Sequence, residues 1–327
     1  MDLVDPYLVA RRVAAATRLG ISPSDVRTAL YDHPVHGVIA PAYLSVDPTA
    51  ARISVAIALM GPANALGGWA ALRVQGNTWF DGLDRSGDDR DVLIHCLPGS
   101  QLRVRPGIEP SEGRVHPDET LARGSFAVTT LARAAYDEMR VAVGVREAVV
   151  VLDMATSTTS GMPHTTLDAV AAVVESHHKT RGIAQARQAL AMSSPRSASP
   201  WETRTRLLAE LDVGLSGLLV NVPVFDVSGA LLGVADLIDP VTGLVIESDG
   251  AHHRAAEQHT LDNVREERFE RAGLVVCRVT SLDHQDRWAT VGRLASAHRD
   301  AARSLRRDWT LVQPDWWRTW PAARRWA

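Results

Sequence analysis

The stretch Gly233-Val-Ala-Asp236-Leu-Ile-Asp-Pro-Val-Thr-Gly-Leu-Val-Ile-Glu247-Ser-Asp249-Gly250-Ala-His252-His253 constrains this chain more than any other. Apolar residues flank Asp236, Asp239-Pro240-Val-Thr-Gly243 has turn composition, and Leu244-Val-Ile resumes as a buried strand that Gly250 ends. The reading is strand, turn, strand. Side chains alternate faces along a strand, so Glu247 and Asp249 point the same way, and Asp236 lies a similar distance back from the turn on the partner strand. The three carboxylates can converge at one end of the hairpin. Gathering them among apolar strands is electrostatically costly unless a proton or cation compensates, and hard divalent cations prefer oxygen ligands. A magnesium or manganese site at Asp236, Glu247 and Asp249 is the expectation; a solvated strand end or an inactive relic is the plainer alternative. His252 and His253 follow Gly250 directly, so one imidazole can lean over the site as proton donor or water positioner, His253 being preferred.

The run Val-Ala-Asp236-Leu-Ile-Asp, then Val-Ile-Glu247-Ser-Asp249-Gly-Ala-His-His253, then Asp262-Asn-Val-Arg265-Glu266-Glu-Arg-Phe-Glu-Arg-Ala-Gly273-Leu-Val-Val-Cys-Arg278 resembles the Vsr-like branch of the PD-(D/E)xK nuclease superfamily. The resemblance covers roughly Pro200 to Asp300 and implies a restriction endonuclease-like α/β sheet. It also implies metal-binding or catalytic roles for Glu202 in Trp201-Glu202-Thr-Arg, for Asp236, and for Glu247 with Asp249, followed by a D-x-x-R-[DE] helix at Asp262, Arg265 and Glu266. The superfamily's catalytic lysine is absent: Asp249 stands in its place, and the only lysine of the chain is Lys179. Either the metal and His252 or His253 do that work, or the site is weak or dead. Taken alone, Glu202 in the first turn of a helix compensates the helix dipole, worth roughly a few tenths of a kcal/mol; with the downstream carboxylates it reads as metal-facing. Arg265 can pair with Glu247, hold a phosphate, or form a plain structural ion pair.

A chain of 327 residues divides into two or three domains, and 46% hydrophobic with 22% charged residues is a globular composition. It has no apolar run long enough to span a bilayer, and Met1-Asp-Leu-Val-Asp lacks the basic start and apolar core of a secretory signal, so a cytoplasmic location is expected. Cys96 and Cys277, far apart in apolar contexts, read as buried thiols. A net charge of -3 excludes a uniformly basic coat, so contact with DNA must come from local patches. No Gly-rich phosphate cradle or zinc knuckle is visible, so NTP dependence and structural zinc are not supported.

Upstream, Tyr7 to Gly20 and Ser22 to Tyr31 read as two short helices, and His36-Gly-Val-Ile-Ala-Pro-Ala-Tyr43-Leu-Ser as a strand pair. Residues 1–46 are thus expected to form a winged helix-turn-helix-like module with Arg27 facing DNA, or else a small helical module that packs on its neighbours. Helices at Thr49–Met60 and Asn64–Val74, strands at Asp91–Pro98 and Leu102–Glu109, and a strand-to-helix junction at Phe126–Asp137 follow. With Gly-Gly-Trp69-Ala-Ala-Leu and Val128-Thr129-Thr-Leu-Ala132-Arg133, residues 47–192 resemble the AbiEi-type antitoxin architecture, a mixed linker domain ending in a helical connector. In that connector His177 and His178 read as exposed polar residues. Ser193 to Pro200 reads as a domain boundary, ahead of a nuclease domain at 200–300.

The tail 301–327 carries Trp309, Trp316, Trp317, Trp320 and Trp326 with six arginines against two aspartates. That composition suits stacking on single-stranded nucleic acid, a partner protein, or a strap over the nuclease sheet, the strap or partner being favoured. The expected fold class is α/β of the mixed, α+β kind. The expected function is a metal-dependent DNA endonuclease linked to defence, toxin-antitoxin or repair systems; the alternative is a non-catalytic DNA-binding regulator of antitoxin type with a degenerate nuclease domain.

Overall fold

The computed structural model describes residues 5–42, 47–249 and 256–319, without the side chains of 256–263 and 318–319. The fold is mixed α+β, in two compact units that interleave along the chain: Met1–Ala142 with Met162–Gln188, and Val143–Gly161 with Ala189–Ala327. No helix among the described residues is long and apolar enough to cross a membrane.

The first unit opens with β1 (Arg11–Arg12), α1 (Val13–Arg18), β2 (Tyr31–Val35) and β3 (Val38–Pro41), an antiparallel sheet of order β1-β3-β2 over a small core of Ala16, Val26 and Ile39. The second expected helix is only a 3-10 turn, Asp25–Arg27. Its polar side chains satisfy the backbone locally: the Ser22 amide and hydroxyl both donate to Asp25 Oδ2, and the Thr28 hydroxyl donates to the Asp25 carbonyl. Such side chains compete with helix continuation. The strand pair turns at Gly37, φ 80°, several residues earlier than expected.

α2 (Pro48–Leu59) starts at Asp47, whose carboxylate accepts from the Ala50 amide. Then come β4 (Asn64–Leu66), α3 (Gly68–Val74), β5 (Val92–Cys96), β6 (Ile108–Ser111), β7 (Thr120–Arg123), β8 (Phe126–Thr129) and α4 (Leu131–Val141). The sheet runs β6-β5-β4-β8-β7, with β4/β8 and β5/β6 parallel. Asn64 to Leu66, expected in a helix, is its central strand: three buried residues too few to show a period. Trp69 is fully buried and its indole N–H donates to the Asp91 carbonyl.

Arg133, at the strand-to-helix junction, is the hub of a buried network. It donates to Asp137 and Glu119, Asp137 binds His95 Nε2 at 2.7 Å, and Glu119 binds His177 Nε2 at 2.6 Å. His177, expected at the surface, is therefore buried, its pKa lowered by desolvation against the pull of Glu119; His178 beside it is exposed. Local polarity could not reveal this, because the partner lies far away in sequence. α5 (Gly144–Thr156) belongs to the second unit, α6 (Leu167–Ser176) to the first, and α7 (Ile183–Met192) crosses from one to the other.

In the second unit α8 (Pro200–Leu208) runs into a π-helical turn at Ala209–Val213, followed by β9 (Leu219–Asp226), β10 (Leu231–Ile238), β11 (Leu244–Asp249), α9 (Ala256–Arg271), β12 (Val275–Thr280), α10 (Arg287–Arg303), β13 (Trp309–Thr310) and α11 (Asp315–Thr319). The sheet order is β12-β11-β10-β9-β13. Only β11 and β12 are parallel, which requires a crossover, and α9 supplies it. Alternation gives the sheet two apolar faces: Leu237, Leu244 and Ile246 pack with Leu208 and Leu294, while Ile238 and Val245 pack with Phe269 and Leu274. Each such side chain contributes about 1.5–3 kcal/mol on burial. Both cysteines are free, Cys277 buried and Cys96 half-buried.

The described part of the tail is a strap. β13 pairs with β9, Trp309 packs against the β9/β10 core, and Trp316 and Trp317 meet the Phe225 ring edge-on at 6.0 and 5.5 Å. Trp320 and Trp326 lie outside the described residues. Trp317 is only 4% exposed, so Trp317→Ala is expected to lower stability by about 3 kcal/mol in urea unfolding followed by circular dichroism.

Candidate functional site

The site of the second unit begins with the placement of α8. Asp153 of α5, fully buried, accepts from Arg206 and Thr203 of α8, from the Ser197 hydroxyl and from the Ser194 amide. Burial pushes its pKa up in spite of Arg206. The Ser193–Pro200 stretch is consequently a bracket. The Arg196 guanidinium donates to the Val220 and Asn221 carbonyls, and the Asn221 amide returns a bond to the Arg196 carbonyl. Ser199 caps α8 by accepting from the Glu202 amide. Glu202 is thereby delivered, 7% exposed, to the start of β9, where its Oε2 accepts from the Ala198 amide at 2.8 Å and the Asn221 side chain at 2.6 Å.

β10 and β11 are in register at Leu237↔Ile246 and Ile238↔Val245, which puts Asp236 opposite Glu247. There the Asp236 carboxylate, rather than a strand carbonyl, accepts the Ser248 amide at 2.8 Å. Glu247 is 6% exposed. Its Oε2 is paired with Arg265 of α9, and its Oε1 is buried with no partner. Glu266, next to Arg265, pairs with Arg278 of β12 at 2.6 Å, and Arg278 is the register partner of Glu247. Two consecutive helix residues thus reach two adjacent strands, which gives a physical reason for the Arg-Glu dipeptide.

Glu202, Asp236 and Glu247 are therefore brought together, with Asp236 in the middle. Burial, and then the charge of Asp236, pushes Glu202 up to about 7 and Glu247 up to about 8. The two glutamates approach from opposite sides: α8 packs on the Ile246 face and α9 on the Val245 face. Asp249, two residues beyond Glu247 on the same face, is half-buried. Among the described residues no three His, Cys, Asp or Glu side chains are grouped closely enough to hold a metal ion. The donor chemistry nonetheless fits a hard divalent cation: the carboxylates repel one another, and one buried oxygen lacks any partner. His252, His253 and the side chain of Asp262 lie outside the described residues.

The structure adds residues that the sequence did not single out. Asn221 is the one described non-glycine residue with positive φ, 49°, a conformation asparagine tolerates better than most, and this aims its amide at Glu202. Gly233 makes room for Arg265, because a Cβ there would stand 2.7 Å from Arg265 Cγ. Ser248, Thr205 and His284 form a chain of contacts at 3.1 and 3.2 Å, which brings an imidazole to the end of β11. Gly233 was in view in the sequence, but its role depends on a helix about thirty residues later.

Comparison with protein-family models, with curated proteins and with solved structures returned no match for this chain.

The raised glutamates predict a pH dependence. Between about pH 4.5 and 8 the native state binds more protons than the unfolded chain, so stability is highest on the acid side and falls as pH rises through 7 and 8. Thermal melts of the metal-free protein should show this decline, on the order of a few kcal/mol, and Glu247→Gln should flatten most of it.

Proposed function

We propose that the second unit is a metal-dependent endonuclease that hydrolyses phosphodiester bonds of DNA. The observation that carries this reading is the gathering of buried carboxylates from α8, β10 and β11, with Asp236 acting electrostatically on both Glu202 and Glu247 and with Glu247 Oε1 buried and unpartnered. Asp236 and Glu247, with Asp249, would hold magnesium or manganese, and Glu202 would approach from the α8 side. Bound there, the ion supplies positive charge to polarise a phosphate and to make its water acidic. Asp236 holds its place through the Ser248 amide, and Asn221 fixes the Glu202 carboxylate by donating to its Oε2. Arg265, its side chain 31% exposed, is positioned to meet phosphate charge. His253 remains the proposed proton donor, and His284 offers a second imidazole at the same end of β11. In this reading the first unit supplies recognition, with a winged-helix-like role for the three-stranded sheet and exposed Arg11, Arg18 and Arg27, and an AbiEi-like role for the body behind it.

The test is nicking of supercoiled plasmid by the full chain with magnesium or manganese, beside an Asp236→Asn, Glu247→Gln double variant. Asparagine keeps an acceptor for the Ser248 amide, so the fold is spared. Metal-dependent nicking should fall by about a hundredfold or more in the variant. Equal silence of both proteins, with DNA binding intact, would replace this reading by the non-catalytic regulator.

A further inference from the structure

Glu247 has two oxygens in different situations. Oε1 is buried and bonded to nothing, while Oε2 is held by a guanidinium from a different element. The carboxylate side chain is 7% exposed and its arginine partner 31%, so the pair spans the boundary between the interior and water. The stem of Arg265 lies across β10 in the space left by Gly233, where a Cβ would also crowd Phe269 Cζ at 3.0 Å. This seating fixes where the stem enters the site, and the Arg265 side chain keeps 31% of its surface exposed.

We propose that Arg265 is a latch that trades Glu247 for a phosphodiester, so that a divalent cation and DNA bind this site with positive coupling. The inference rests on the nuclease reading above and assigns the order in which the site is assembled. A guanidinium binds carboxylate and phosphate with the same planar fork, so the exchange replaces one charge-assisted pair by another. A cation that approaches Glu247 while Arg265 is in place meets a positive charge and finds Oε2 taken. A phosphate that approaches Arg265 meets Asp236 and Glu247, both carboxylates. Each ligand removes the obstacle to the other: phosphate draws the guanidinium outward, and the cation neutralises the carboxylates. Coupling of this kind is reciprocal, so each must raise the affinity of the other by the same factor. Glu266 and Arg278, the neighbouring charges, pair with each other at 2.6 Å and hold α9 against β12 while the latch moves. A purely structural ion pair has no such consequence, because it stays closed in every state.

The experiment is calorimetric titration of the full chain with calcium chloride, alone and with a short DNA duplex present. Wild type is expected to bind calcium about tenfold or more tightly with duplex than without. Arg265→Gln is expected to bind calcium about tenfold more tightly than wild type when no duplex is present, and to show no further change when duplex is added. Arg265→Lys keeps the charge but not the fork and should fall between; wild-type affinities in both arms for this variant count against the latch. Calcium binding that is abolished by Glu247→Gln yet indifferent to duplex in wild type overturns the latch and leaves the nuclease reading standing. No calcium binding by wild type in either arm overturns both.

Discussion

The second unit depends on one hydrogen bond at the place where its hairpin opens. In a regular antiparallel pair the Ser248 amide would find a carbonyl across the ladder; here it finds the carboxylate of Asp236. A buried amide left without a partner costs about 1–3 kcal/mol, so Asp236 is structural before it is anything else. The same bond fixes the carboxylate in the middle of the sheet, within electrostatic reach of Glu202 on one side and Glu247 on the other. Two buried glutamates then ionise only against each other's neighbour, and the site carries a standing demand for positive charge. Arg265 meets part of it.

Much of this was legible in the chain itself. Strand alternation and the turn at Asp239 to Gly243 are local signals, and they were sufficient to set Asp236 opposite Glu247 and to place Glu202 in the first turn of a helix. What was not legible depends on contacts between distant segments. Asn221 adopts a left-handed conformation because Glu202 and the Arg196 carbonyl await its amide, and no period in the sequence reports that. His177 lies in a polar run, yet Glu119 draws it inward. The short turn at Asp25 to Arg27 misled in the opposite direction: good capping residues there close a loop instead of starting a helix.

Arginine carries an unusual share of the structure. Arg133 joins Glu119 to Asp137 within the first unit, and in the second Arg206 joins Asp153 to Glu210, while Arg146 and Arg287 both grip Asp212. Each of these guanidiniums spans two elements, a reach that the point charge of a lysine does not reproduce. The near absence of lysine noted in the sequence thus coincides with a real structural use of planar, forked donors.

The interleaving of the two units also affects how the protein can be dissected. The chain passes from one unit to the other after residues 142, 161 and 188, so no single cut separates them. A fragment that begins at Pro200 contains every candidate catalytic carboxylate, yet it abandons α5. It would leave Arg206 without Asp153, Arg204 without Glu147, and Asp212 without Arg146, all on or just after the helix that presents Glu202. The smallest piece that keeps Glu202 in place starts at Val143, and it carries residues 162–188 of the other unit with it as a long insertion.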